Sequence, residues 1–510
     1  MQEIEWKKDY EEFEKVTRQF YAGEITVPQY KGFSGGFGSY AQRGGKAGML
    51  RLRLPGGRLS VDKLGFVVRS AEQYKIDKVH LTTCQTIQLH NLSADAICDL
   101  AVAALEHGIV TRGGGGDYPR NVMASPLSGV EKGEYFDVLP FAEAAGEYLM
   151  GLIKTVKLPR KLKVCFSNSQ ENHTHATFRD LGFAARKDGL FDVYSAGGLG
   201  NNPKMGVLVA EAVPGSQILY YIKAMVKLFV AYGNYENRAK ARTRYMQDVL
   251  GDQYVEAYKE KLAEAMQEEK LDIQAEQPVI TKKSDGTQAD DRRAIPQKQE
   301  GLYAVLYHPI GGCPAPAKLK ELYEAVKDMD QAEIRIAPDE KLYVINLTGA
   351  EAQKILKITE DSAKTEFEAS VACIGASICQ VGLRDSQKML AELVAASREW
   401  EYEDGVLPKI HISGCPSSCG THQIGRIGLR GAMKKVEGKP QPAFVLTVNG
   451  SDKEGKERFG EQIGTVTEAE IPVFLKELGK EISDAGMKFD EWYENHADRF
   501  KELAEPYVGA

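Results

Sequence analysis

The chain has 510 residues, 43% of them hydrophobic and 27% charged, with 65 lysines and arginines against 72 aspartates and glutamates, a formal net charge of −7. That composition is globular and leaves room for roughly three domains. It argues against a general nucleic-acid binder, although a local basic pocket fits inside the total, and no run of about eighteen apolar residues is present to span a membrane. The charged start, Met1 to Tyr10, has no apolar signal core, so the expectation is a cytoplasmic protein whose eight cysteines are thiols or metal ligands.

Residues 1–45 read as an N-terminal arm with a short docking helix, Phe13, Val16 and Phe20 lying at helical spacing. Gly32 to Gly38 is glycine-rich and predicts a loop. Met49 to Pro55 alternates as a strand, with Leu50, Leu52 and Leu54 on one face and Arg51 and Arg53 on the other. A helix over Leu59 to Tyr74, two strands between Lys78 and Leu92, and a helix over Ala94 to Glu106 complete a compact β-α-β-β-α unit over 46–112. Residues 113–266 predict a larger α/β unit. The polar, poorly periodic stretch 267–300 predicts an exposed linker.

The same order then returns. A strand at Gly301 to Tyr307, a Gly311-Gly312 turn, a helix over Leu319 to Val326, strands at Glu333 and Lys341, and a helix over Ala350 to Leu356 make a second small unit, 301–360. His80 and His90 align with Arg335 and Ile345 at one constant offset. Lys163 to Gln170 aligns without a gap with Lys409 to Pro416, and Asp180-Leu-Gly182 with Arg426-Ile-Gly428. The fold class is therefore α+β: two tandem pseudo-symmetric halves, each a small α+β unit followed by a larger α/β unit, the last over 361–510 with a helical tail.

Three places set basic residues beside glycine or proline: Gly113 to Asn121, which includes Arg120; Leu158 to Lys163, which includes Arg160, Lys161 and Lys163; and Gly197 to Asn202. Each alone has a plain reading: a solvated loop for the first, a surface-facing strand edge for the second and a tight turn for the third. Together they describe a basic, glycine-lined cavity for an anion or a polyanionic cofactor. The cysteines concentrate in two close pairs, Cys373-x5-Cys379 and Cys415-x3-Cys419. Thiolates suit an iron–sulfur cluster, zinc or copper(I). The five-residue gap of the first pair argues against structural zinc, and simple burial stays open.

In that order these motifs resemble the sirohaem-dependent sulfite and nitrite reductases: C-x5-C with C-x3-C, Leu158-Pro-Arg-Lys-Leu-Lys163, Arg120-Asn-Val with Ser125-Pro-Leu-Ser-Gly, and Leu81-Thr-Thr-Cys-Gln85 running to His90. The resemblance covers most of residues 32–470. It implies two ferredoxin-like small units in a shared pseudo-symmetric domain, and two larger units enclosing the cofactors. It implies a [4Fe–4S] cluster on Cys373, Cys379, Cys415 and Cys419, with Cys419 also the axial ligand of a sirohaem iron. It implies that sulfite is reduced to sulfide, or nitrite to ammonia, with Arg120, Lys161 and Lys163 facing the anion and the two lysines as proton donors. Asn121, Gln85, Arg51 and Arg53 become cofactor-binding candidates. Electrons would come from a separate ferredoxin or flavoprotein, since no flavin or nicotinamide domain is read in the chain. Where the family carries an arginine before the glutamine, this chain has Cys84, which joins the catalytic candidates. Lys163 leans the choice of anion towards sulfite, and Cys84 weakens that lean. The competing classes are an oxygenase resembling precorrin-3B synthase, and a non-catalytic cluster-bearing electron-transfer subunit.

Overall fold

The computed structural model describes residues 3–509. The chain divides into two compact units. The first holds the chain up to Gly198, Pro203–Tyr307 and Pro314–Glu360; the second holds Leu199–Asn202, His308–Cys313 and the chain from Asp361 on.

In the first unit, strands Ser39–Ala41, Gly48–Leu52, Ile87–Leu92 and Val79–Leu81 form an antiparallel sheet in that order. Its helices Val61–Gln73 and Ala94–Glu106 begin where Ser60 and Ser93 accept hydrogen bonds from the N–H of Lys63 and Ala96. A second sheet orders Ala294–Pro296, Tyr303–Tyr307, Leu342–Leu347 and Glu333–Ile336, and its last place is taken by Arg58–Leu59 from the first repeat. Helices Pro316–Val326 and Gly349–Ile358 accompany it. The repeat seen in sequence is a repeat of register. Val79 pairs with Leu89 and Ile334 with Val344, one offset apart. At the same offset, Gln85 and Glu340 both take positive φ (54° and 68°), as do Asn91 and Asn346 (59° and 60°). Non-glycine residues rarely adopt that region, so the shared turn geometry is a shared constraint.

The helix Glu3–Tyr21 packs Trp6, Tyr10 and Phe13 into the core that these two sheets share. The glycine-rich stretch expected as a loop is instead the end of helix Val27–Ser34 followed by the 3-10 turn Gly35–Phe37. Gln29 closes the start by accepting from the Thr26 N–H at 2.8 Å, and Phe37 stacks on Phe13 with ring centres 4.6 Å apart. Aromatic packing overrides weak helical propensity here. Residues 269–293 carry no helix or strand and are held by hydrogen bonds along their length, such as Ile273 N–H to Ser216 O at 3.0 Å and Thr281 and Lys282 N–H to the Gln331 side chain at 2.9 and 2.8 Å.

The larger sheets repeat as well. In the first unit, Met123–Ala124, Val164–Ser167 and Leu181–Ala185 run parallel, and Phe191–Ser195 and Val207–Val213 continue antiparallel. In the second unit, Val371–Ala372, Ile410–Ser413 and Ile427–Val436 run parallel, followed by antiparallel Lys439–Val448 and Glu461–Thr467. The loops after the second strand share their strained positions: Asn172 and His175 in one, Ser418 and Thr421 in the other, all at positive φ. Helices Ser386–Ser397, Ile471–Asp484 and Phe489–Val508 pack on the second sheet around Trp492.

Candidate active site

Residues 82–86 turn the chain between Val79–Leu81 and Ile87–Leu92. Gln85, fully buried, donates from its side chain to the carbonyls of Ala124 (2.8 Å) and Ile336 (2.7 Å) and accepts from the Ala124 N–H (3.0 Å). Asn121 accepts from the Leu54 N–H (3.0 Å) and donates to the carbonyls of Leu54 (2.8 Å), Cys84 (3.0 Å) and Gln85 (3.2 Å). Both amides, expected beside a cofactor, are thus engaged with backbone and fix the turn that carries Cys84.

Cys84 is half-buried against Met123, Cys165, Ala176 and Ala184. Lys163 is the cation that acts on its sulfur most strongly. Burial alone would raise this thiol. The charges of Lys163, Arg179 and Lys161 outweigh burial and bring it down to about 6. Burial lowers Lys163 in turn, with Cys84 acting against it. Behind Lys163 lies Asp180, fully buried, which accepts from the Lys163 N–H (2.9 Å), from Arg242 (3.0 Å) and from the Thr243 hydroxyl. Arg179 is held by the Thr174 carbonyl at 2.8 Å and His175 Nδ1 at 3.0 Å.

Arg120 donates to the carbonyls of Gly114 (2.7 Å) and Gly116 (3.1 Å), and its Nε is shielded from water with no hydrogen-bond partner. Arg51 also reaches Gly114 O, at 2.6 Å, and its other nitrogens meet the side-chain oxygen of a suitably oriented Gln88. Arg53 is buried and donates to the carbonyls of Arg112 (2.8 Å) and Arg120 (3.0 Å). In place it supports the Arg120 backbone. The glycine run has an equally local reason: a Cβ on Gly115 would stand 2.4 Å from both Gly35 O and the Tyr40 hydroxyl. These glycines let two backbone segments touch.

Two residues of this cluster escaped sequence reading. Arg179 stands just before the repeated Asp180-Leu-Gly182, a position the alignment had already brought out. Tyr40 follows the glycine-rich stretch; its hydroxyl accepts from the Gly116 N–H at 2.8 Å. Burial raises its phenol, but Arg120, Arg51, the Gly116 N–H and Arg160 together hold it below the ordinary value.

In the second unit, adjacent parallel strands place the cysteines. Val371 pairs with His411 and Ala372 with Ile412, so Cys373 and the Cys415–Cys419 loop leave the C-terminal ends of neighbouring strands. The Cys373 N–H donates to Ile412 O (3.1 Å), and the Gly414 N–H points at Cys373 Sγ (3.2 Å). Gly375, at φ +77°, starts the turn that brings the Cys379 N–H to its carbonyl at 2.8 Å. None of the four cysteines is in a disulfide. Burial first, then the neighbouring Cys419, push Cys373 up to about 12, so its thiolate form calls for a positive partner. Among the described residues no three Cys, His, Asp or Glu side chains close on a single metal ion. A four-iron cluster holds its thiolates farther apart than one ion does. The third glycine motif divides: Gly200 lies in this unit, exchanging hydrogen bonds with the Gln423 side chain at 2.7 and 3.0 Å.

Two family models match the chain: the nitrite/sulfite reductase ferredoxin-like half domain over residues 40–107, and the nitrite and sulphite reductase 4Fe-4S domain over residues 115–270. Among curated proteins, the ferredoxin–nitrite reductase of Synechococcus elongatus is 27% identical over 455 residues, 84% of this chain and 85% of that one. The assimilatory ferredoxin-dependent nitrite reductase of Haloferax mediterranei is 25% identical, covering 92% of this chain and 86% of its own. Sulfite reductase [ferredoxin] 2 of Mycolicibacterium paratuberculosis is 25% identical over 87% of this chain and 81% of its own. Among solved structures, the Mycobacterium tuberculosis NirA protein shares the fold, with a TM-score of 0.76 at 22% identity over 94% of this chain and 93% of that one.

Proposed function

This chain belongs to the nitrite and sulfite reductase family, and we propose that it carries out the six-electron reduction of nitrite to ammonia or of sulfite to sulfide. The observation that carries the reading is the pair of cysteine loops at the C-terminal ends of two adjacent parallel strands. Cys373, Cys379, Cys415 and Cys419 would hold a [4Fe–4S] cluster, with Cys419 shared with a sirohaem iron. The donor set fits: four thiols free of disulfides, one of them receiving a backbone N–H. Sirohaem carries eight carboxylates, and among the described residues the buried Nε of Arg120 has no hydrogen-bond partner, which suits a polyanionic group. When bound, the coupled iron centres supply single electrons to the anion.

The chain's own residues supply charge and protons. Arg120, Lys161 and Lys163 attract and orient the oxyanion. Each reduction consumes protons and releases water, and the lysine ammonium groups deliver those protons at the departing oxygens. Asp180, engaged with the Lys163 N–H, fixes where that ammonium starts. By likeness to relatives named ferredoxin-dependent, the electron donor is proposed to be ferredoxin. Protein purified anaerobically from cells supplied with sirohaem should contain iron, labile sulfide and haem-type absorption. A colourless, iron-free protein under those conditions would contradict the assignment.

A further inference from the structure

We propose that Cys84 is a specificity-determining residue: its sulfur, paired with Lys163, offsets one cation of the anion-binding cluster and tunes that cluster to a singly charged oxyanion. This rests on the reductase reading and decides between its two substrates in favour of nitrite.

The turn that carries Cys84 is fixed twice over, by Gln85 and by Asn121, so the sulfur is presented at a defined place rather than on a mobile loop. The groups that face it come from three segments: Lys161 and Lys163 from the approach to strand Val164–Ser167, Arg179 from the turn before Leu181–Ala185, and Arg120 from the segment after the glycine run. Asp180 and Arg242 stand behind Lys163 and act on it. A thiol among cations ionises readily, and this one is brought down to about 6. The surrounding cations favour the thiolate of Cys84 over its thiol, and a thiolate beside Lys163 gives an incoming anion a dipole more than a full charge to meet. Where the resembling reductases carry an arginine, this chain places a negative charge. A doubly charged anion loses about twice as much from that exchange as a singly charged one, because the Coulomb energy scales with the product of charges. Sulfite passes from monoanion to dianion near neutral pH and is mostly dianionic at the more alkaline pH of the test below, and nitrite is a monoanion.

The test uses the holoenzyme and its Cys84→Arg and Cys84→Ser variants. Affinity for each anion is read by calorimetric titration of the oxidised protein, and KM with reduced methyl viologen as donor. Wild type is expected to bind nitrite more tightly than sulfite at pH 7.5. Cys84→Arg is expected to tighten sulfite by about tenfold or more, and nitrite by about threefold. Cys84→Ser, which keeps the size and loses the charge, is expected to move sulfite the same way by less. Alkylation with iodoacetamide, in which the thiolate displaces iodide, is followed on the Cys84 peptide by mass spectrometry. Its rate should be half-maximal near pH 6 in wild type and move towards the ordinary thiol value of about 8.5 in Lys163→Ala. Equal shifts for both anions in both variants, or a wild-type midpoint at the ordinary thiol value, would overturn the proposal. Turnover of neither anion, with the binding preference and the alkylation midpoint as expected, would overturn the reductase reading and leave the role of Cys84 standing.

Discussion

The side chain of Asn121 donates to the backbone carbonyl of Cys84 at 3.0 Å, and the same amide nitrogen reaches Gln85 O at 3.2 Å. A single buried amide thus links the segment that carries Arg120 to the turn that carries the thiol. Asn121→Ala leaves the Cys84 and Gln85 carbonyls and the Leu54 N–H without the partner seen here, while Leu54 O keeps the Gly57 N–H. The expected cost is about 2–4 kcal/mol in urea unfolding, together with a higher alkylation midpoint for Cys84 as its turn loosens.

Asp180 makes a second buried link, to Arg242, Thr243 and the Lys163 N–H. Burial raises its carboxyl, and Arg242 and the hydrogen bonds more than reverse that, holding it below the usual carboxylate range. A depressed folded value contributes stability that is present above the unfolded value of about 4 and lost as pH falls through the folded one. Asp180→Ala should therefore destabilise by about 3–5 kcal/mol at pH 7. The gap from wild type, followed as melting temperature against pH, should hold constant between pH 6 and 8 and narrow only below about pH 4.

Gly115 has no room for a side chain, with Gly35 O and the Tyr40 hydroxyl each 2.4 Å from a built Cβ. Gly115→Ala is expected to cost about 1–3 kcal/mol and to displace the Gly114 and Gly116 carbonyls that hold Arg120. Anion KM should rise severalfold while the iron content stays unchanged.

Cys379→Ala or Cys415→Ala should abolish labile sulfide and lower iron, with far-ultraviolet circular dichroism retained. Cys98→Ala, in the helix Ala94–Glu106, serves as the control and should keep both. Loss of sulfide in the Cys98 variant, or its retention in the others, would move the cluster elsewhere.

Lys161→Ala and Lys163→Ala should each lower kcat by about a hundredfold or more, the usual size of a proton-transfer contribution. Lys163→Arg should restore anion binding more than turnover, because guanidinium keeps the charge and does not release its proton.

The repeat, the helices and the cysteine spacing were legible in the sequence because each is written in local pattern. The offset that aligns His80 with Arg335 also aligns the turns at Gln85 and Glu340 down to their positive φ. What stayed hidden were partners set by tertiary packing. Gln85 and Asn121 stand in recognisable motifs, but only the fold shows that their amides hold backbone. Arg53 alternates with Leu52 and Leu54 as a strand residue facing outwards should, yet it is buried under the Arg120 segment. In the Gly113–Gly116 run, which suggested close backbone approach or positive φ, Gly113 and Gly116 take positive φ, and Gly115 makes space for Gly35 and Gly114 for Gly38. Arg58–Leu59 joins the sheet of the other repeat, which no local pattern announces.

Reduction of an inorganic oxyanion by six electrons is read from its stoichiometry. Purified holoprotein is mixed anaerobically with reduced methyl viologen, and limiting nitrite or sulfite is added. Six viologen radicals are expected to be oxidised per nitrite, with ammonia as product, and the same count per sulfite, with sulfide, at higher anion concentration. No oxidation with either anion, in protein carrying its full iron and haem absorption, would contradict it.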